Sequence, residues 1–132
     1  MVITVDTSVL LSVLLNEKHK EKIVELTKGD ELQAPSSLDA EIGNALSAMF
    51  KRNRLTLDEA RQVIEQYEQI PVRRTKLRLW KAAELAHTYN IYGYDAYVLD
   101  CARQYRTSLI SLDKELVTIG NKLGLNMIEV AQ

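Results

Sequence analysis

The sequence predicts an α/β fold in three layers, a central parallel sheet of four to five strands flanked by helices. Three observations predict it. Short β-branched or apolar segments alternate with stretches of helical periodicity along the 132 residues, the pattern of repeated βα units. Each acid that stands out follows an expected strand or opens an expected helix. No linker, repeat or low-complexity stretch interrupts the pattern, so one domain over residues 1–132 is expected.

The elements follow in order. Val2-Ile3-Thr4-Val5 is short and β-branched, as a buried strand is. Thr7 to Leu15 is apolar and helical. Lys18 to Lys28 sets Ile23, Leu26 and Thr27 on one helix face, and Gly29-Asp30 stops it. Leu32-Gln33-Ala34 is a weak second strand ended by Pro35. Ser36 and Ser37 can cap a helix running to about Asn53. Thr56-Leu57-Asp58-Glu59 opens the next helix with a cap and early acids, and it reaches Gln69 before Pro71. Val72 and Arg73 form a third strand. Leu77 to Tyr89 is helical, with Leu77, Trp80, Ala83, Glu84 and His87 at helical spacing. Gly93 breaks the chain before a helix from Asp95 to Tyr105. Ser108 to Leu112 is a fourth strand, Lys114 to Leu123 a helix, and Met127 to Val130 a last strand.

Composition narrows the function classes. Hydrophobic residues make up 46% of the chain, enough for a core, and charged residues 27%. No apolar run approaches the roughly 20 residues that span a bilayer, so no membrane association is expected. The start of the chain lacks the pattern of a signal peptide, which makes the cytoplasm the expected location. The single cysteine, Cys101, permits no intramolecular disulfide and reads as a small buried residue. With two scattered histidines it also argues against a structural zinc site. The net charge of −1 and a pI near 6.1 give no global basic footprint. A nucleic-acid ligand would need local basic patches and metal ions to offset phosphate repulsion.

Four acids stand where a parallel α/β sheet places its ligands, beyond the carboxyl ends of the strands. Asp6 follows the first strand and Asp113 the fourth. Asp95 opens one helix and Glu41 lies in the first turns of another. Each is also a reasonable helix cap or dipole partner, and that reading predicts the same edge. Convergence separates the two. Carboxylates about 5 Å apart repel by roughly 3 kcal/mol at an effective dielectric of about 20. A pocket of several must protonate, splay open or hold a cation. All-oxygen ligands suit Mg²⁺ or Mn²⁺. Thr7 and Ser8 offer hydroxyls beside Asp6. Asn44 shares a helix face with Glu41, Ala45 and Ala48 and can orient Glu41 or a water. Asp39 points elsewhere and reads as a cap or surface charge. Asp100 lies about 140° around the helix from Asp95, which makes it a supporting or exposed residue.

Four segments carry a resemblance. They are Val5-Asp6-Thr7-Ser8-Val9-Leu10-Leu11, Ala40-Glu41-Ile42-Gly43-Asn44-Ala45-Leu46, Tyr94-Asp95-Ala96-Tyr97-Val98-Leu99 and Ser111-Leu112-Asp113-Lys114-Glu115-Leu116. In this order and spacing the chain resembles the PIN domain, and within it the VapC-type ribonucleases of prokaryotic toxin–antitoxin systems. The resemblance implies a Rossmann-like parallel sheet and cleavage of RNA phosphodiester bonds with Mg²⁺ or Mn²⁺. It implies acidic site positions at Asp6, Glu41, Asp95 and Asp113, of which Asp113 matches the family's most variable acid. It matches Thr7 or Ser8 to the family's hydroxyl and Asn44 to its amide. A homodimer and a small cognate antitoxin are the partners it implies.

Substrate contacts are read from charge and aromaticity. The basic run Lys51-Arg52-Asn53-Arg54 either favours a helix C-terminus or grips RNA phosphates through Arg52 and Arg54. Arg73 and Arg74, near Lys76 and Arg78, form a second basic cluster, either a solvated surface or a phosphate contact. Tyr92, Tyr94 and Tyr97 flank Asp95 and either pack or stack on bases. No histidine base is needed. Phosphoryl transfer through an aspartyl phosphate is the rival enzyme class. Haloacid-dehalogenase-like enzymes want a second Asp where Ser8 stands, and receiver domains want paired acids after the first strand. The non-enzymatic rival is a PIN-like adaptor that binds RNA or protein.

Overall fold

The computed structural model describes residues 1–130. Five strands form one parallel sheet: β1 (Val2–Val5), β2 (Glu31–Pro35), β3 (Val72–Thr75), β4 (Ser108–Ile110) and β5 (Met127–Ile128), in the order β3-β2-β1-β4-β5. Seven helices join them: α1 (Thr7–Leu14), α2 (Lys20–Thr27), α3 (Leu38–Lys51), α4 (Leu57–Gln69), α5 (Leu79–Tyr89), α6 (Gly93–Tyr105) and α7 (Lys114–Lys122). The expected α/β fold is the observed one. Among the described residues no helix is long and apolar enough to cross a membrane.

The register sorts the sheet's two faces, because side chains of paired parallel residues point the same way. Ile3, Val5, Ala34 and Ile110 join a core with α1 to α4. Leu109 joins a second core with α5, α6 and α7, in which Leu99, Ala96 and Ala102 are fully buried. Between them on that second face lie Thr4, Gln33 and Thr75, all buried. Gln33 donates to the Thr4 hydroxyl (3.0 Å), and the Thr75 hydroxyl lies 3.2 Å from the buried Cys101 Sγ. A hydrophilic patch under α6 is tolerable because its polar atoms bond one another.

Boundaries shift for physical reasons. β2 runs on through Pro35, which pairs with Thr75 at the strand's end, where a missing N–H matters least. Gly93 does not break the chain but forms the first residue of α6. On α5 the residues noted at helical spacing are not the ones that pack. Trp80 and Leu79 are exposed, and Ala82 and Leu85 are buried instead. Asn90, at φ 54°, ends α5 in the left-handed conformation that Asn tolerates.

α4 starts with the reciprocal cap that its sequence predicts. Thr56 Oγ1 accepts from Glu59 N (3.1 Å) and Glu59 Oε1 accepts from Thr56 N (2.9 Å). Thr56→Ala is expected to cost about 1 kcal/mol of stability, read as a lower urea midpoint at constant m. An unchanged midpoint would mean the cap is dispensable.

Candidate functional site

The chain builds β1, β2 and β3 outward on one side, then crosses to β4 on the other side of β1. The switch point therefore lies between the ends of β1 and β4, where a crevice opens in such sheets. The ladder continues one step past β1, with Asp6 N donating to Ile110 O (3.1 Å). This fixes the Asp6 side chain at the mouth of the crevice.

Asp6 is buried, 8% exposed. Its Oδ2 accepts from Ser8 Oγ (2.6 Å) and Ser111 Oγ (2.8 Å). Both serines are braced in turn by accepting backbone amides, Ser8 from Leu112 N and Ser111 from Asp113 N. Burial pushes the Asp6 carboxyl above the usual carboxylate range, against the pull of the two hydroxyls, and the Asp113 charge adds to the rise. Glu41, half-buried on α3, accepts from Thr7 Oγ1 at Oε1 (2.9 Å) and from Ser37 Oγ at Oε2 (2.8 Å). Burial raises it too, and the charges of Asp6 and Asp95 raise it further. Asp95, also half-buried, has no hydrogen bond to its carboxylate among the described residues. Burial, then Asp113, Asp6 and Glu115, push it up to about 6. Asp113 is exposed, and its Oδ1 accepts from Glu115 N (2.9 Å) and Leu116 N (3.2 Å).

The capping explanation therefore divides the four acids. It accounts for Asp113, which caps α7. It fails for Asp6, which stands at the α1 N-cap without a side-chain cap bond, and for Asp95, which makes none on α6. Glu41 is held by side chains, not by the α3 amides. The four acids share one electrostatic neighbourhood, since each raises the pKa of at least one of the others or is itself raised by them. None has a cationic side chain within 4.0 Å among the described residues. They do not form a closed cage: among the described residues no three His, Cys, Asp or Glu side chains stand close enough to hold a metal ion together. Like charges with no counter-ion between them favour such a spread arrangement. The donors themselves, hard carboxylate and hydroxyl oxygens with raised proton affinity, are those a divalent cation such as Mg²⁺ or Mn²⁺ takes.

Several expectations need correction. Asp100 is neither exposed nor in the acidic crevice. It is 3% exposed and gripped by Arg78, through Nε (2.9 Å) and Nη2 (2.6 Å), with Arg103 at 3.3 Å. Asn44 is exposed on α3 and makes no hydrogen bond to Glu41. Arg74 is not free, because it pairs with Asp39 (3.0 Å) beside the Tyr67 hydroxyl. That ring hydroxyl, and then Arg74, hold Asp39 below its usual value, which settles Asp39 as a surface partner. Arg52 and Arg54 are exposed beyond the end of α3, and Arg52, 11 residues from Glu41, lies about 16 Å along the helix axis from the crevice. Tyr92 is 85% exposed and Tyr94 41%, so packing does not account for them. Ser37 and Ser111 are supports that the sequence reading misses. Ser37 reads there only as a cap, and Ser111 acts across 105 positions of sequence.

The PIN domain profile matches residues 3–122. No curated protein matches the chain. Among solved structures it is similar to VapBC2 from Rickettsia felis bound to a DNA fragment from their promoter (TM-score 0.70, 12% identity, covering 97% of this chain and 98% of that one). FitAcB from Neisseria gonorrhoeae is similar at TM-score 0.66 and 16% identity, covering 96% of each chain. PAE2754 from Pyrobaculum aerophilum follows at 0.65 and 19%, covering 92% and 88%. At these identities the likeness is one of fold.

Proposed function

The chain belongs to the PIN domain family, and on that premise we propose that it is a divalent-metal-dependent ribonuclease of the VapC type, one domain long, acting in the cytoplasm. PIN domains are generally nucleases and typically use divalent ions. What carries the reading for this chain is a set of three carboxylates, Asp6, Glu41 and Asp95. They are buried or half-buried at the switch point, Asp6 raises the pKa of both others and Asp95 that of Glu41, no helix is capped by their side chains, and none pairs with a cation among the described residues. Burying repelling charges costs stability, and a structural role would not require it.

Asp6 and Asp95 are the central ligands of a Mg²⁺ or Mn²⁺ ion. Glu41 ligates directly or through water, and Asp113 completes the set or orients the attacking water. When bound, the cation supplies Lewis acidity to the phosphodiester and lets water ionise near neutral pH. Ser8 and Ser111 hold Asp6 by one oxygen, Oδ2, which leaves Oδ1 free of either hydroxyl. Thr7 and Ser37 hold Glu41 by both. Exposed Tyr92 and Tyr94 beside Asp95 offer faces for an RNA base. Of the basic residues read from the sequence, Arg52 and Arg54 stay proposed as contacts for a strand that extends away from the crevice, whereas Arg74 is engaged by Asp39 and Arg73 lies at the opposite edge of the sheet. The VapBC2 and FitAcB structures among the neighbours favour a small cognate antitoxin as partner, and a homodimer is proposed on the family resemblance alone.

The test is cleavage of single-stranded RNA by the purified protein with Mn²⁺, and its loss with EDTA. Thr7→Val, which frees Glu41 Oε1, is expected to slow cleavage by about 10–100-fold, as loss of an outer-shell partner does. The competing reading, a non-catalytic adaptor, draws on the lack of a ready-made acid cage among the described residues. An adaptor would neither cleave RNA nor gain stability from Mn²⁺.

A further inference from the structure

A groove of about 730 Å³ opens at the other edge of the sheet, where strands begin. That volume is in the range of small-molecule sites, roughly 300–1,000 Å³. It is remote from the acids. α6 carries Asp95 in its first turn and Tyr105 at its end, ten residues or about 15 Å further along the axis. Three arginines line the groove, Arg73 from β3 and Arg103 and Arg106 from the end of α6, and no Asp or Glu does. Neither Arg73 nor Arg106 has an acid within 4.0 Å among the described residues. Arg103 reaches Asp100, but Arg78 already takes both oxygens of that carboxylate. The C-terminus of α6 offsets only about half a unit charge. Three positive charges thus gather in one cavity of a chain whose net charge is −1.

The groove also carries the other groups a nucleotide needs. The Tyr105 ring, 39% exposed, lies 5.8 Å from the Arg73 guanidinium carbon and holds it in place. Asn126 and Ser108, joined by a 2.7 Å hydrogen bond, supply polar groups beside them. Arg106 has φ 54°, whereas the other described non-glycine residues with positive φ are all Asn: Asn16, Asn53 and Asn90. An arginine thus stands where the backbone would prefer asparagine. We propose that this groove binds the phosphate of a nucleotide, free or within an RNA strand, through Arg73 and Arg106 as planar donor forks, with the base against Tyr105. The proposal does not depend on the ribonuclease reading.

The test is run in EDTA, so that the acidic edge takes no part. Adenosine monophosphate and a single-stranded adenosine hexaribonucleotide are titrated into the ¹⁵N-labelled protein. Saturable amide shifts are expected at Thr107, Ser108 and Gly124 to Asn126. Arg106→Asn relieves the backbone and so folds at least as well, and Arg73→Gln keeps a polar side chain. Each is expected to weaken binding about tenfold or more, as loss of one charged contact does. Tighter binding of the hexanucleotide than of the monophosphate identifies RNA as the source, and equal binding a free nucleotide. Absence of saturable shifts at millimolar ligand, shifts confined to the acidic edge, or full affinity in both variants would overturn the proposal.

Discussion

Asp6→Asn is expected to leave a folded protein whose Mn²⁺-dependent RNA cleavage is down by at least 10²–10³-fold, roughly the loss seen when one preorganised electrostatic group is removed. The substitution suits this position unusually well. Both hydroxyls that hold Asp6 donate to a single oxygen, Oδ2. The amide oxygen of Asn can accept both, so the two serine bonds to the crevice wall are kept. What disappears is a negative charge that burial already disfavours and Asp113 repels. Stability in EDTA should therefore hold or rise at neutral pH while activity collapses. A structural Asp would behave in the opposite way, losing stability on replacement. Thermal unfolding and cleavage rates on the same preparation separate the two. Undiminished cleavage by the variant, free of contaminating nuclease, would remove Asp6 from the site.

Features that depend on chain-local chemistry are legible in the amino-acid order itself. The five strands and seven helices follow from β-branched runs, helical periodicity and caps such as Thr56 with Glu59. The acids at the sheet edge follow from strand ends. What stays hidden depends on what each element packs against. α5 shows its bulkiest residue, Trp80, at helical spacing with Leu77 and Ala83, but it buries Ala82 and Leu85 in one cluster with the small Ala96 and Ala102 of α6. Bulk therefore points to the wrong face. Asp100 reads as a supporting or exposed residue because it sits about 140° from Asp95 on the helix. α6 lies between the sheet and α5, so that side is covered as well and Arg78 has to neutralise the charge. Ser111 braces both Asp6 and the Asp113 amide. Nothing local distinguishes it from any serine at the end of a strand.

The second large effect is a reversal of the pH dependence of stability by metal. Asp95 titrates near 3.8 in an unfolded chain and is pushed up to about 6 when folded. Between those values the folded protein holds the proton more tightly than the unfolded chain. Stability then falls as pH rises through the window. Asp6 and Glu41 are displaced in the same direction and deepen the fall. For Asp95 the loss from pH 4 to 7 in EDTA is expected to be about 1–2 kcal/mol, allowing for solvent screening of a half-buried carboxyl. A divalent cation binds only the deprotonated groups, so its affinity grows over the same interval. Mn²⁺ at a hundred times its dissociation constant stabilises by about 2.7 kcal/mol. The melting temperature should then decline with pH in EDTA and climb with pH in Mn²⁺, the two curves diverging by several degrees near pH 7. Asp6→Asn should reduce both slopes, leaving in EDTA the part that burial and Asp113 impose on Asp95. Carboxylates placed only to suit helix ends would have lowered pKa values and the opposite slope in EDTA. A Mn²⁺ effect equal at pH 5 and pH 7, or absent at both, would detach the raised acids from metal binding and leave the family's chemistry without its ligands in this chain.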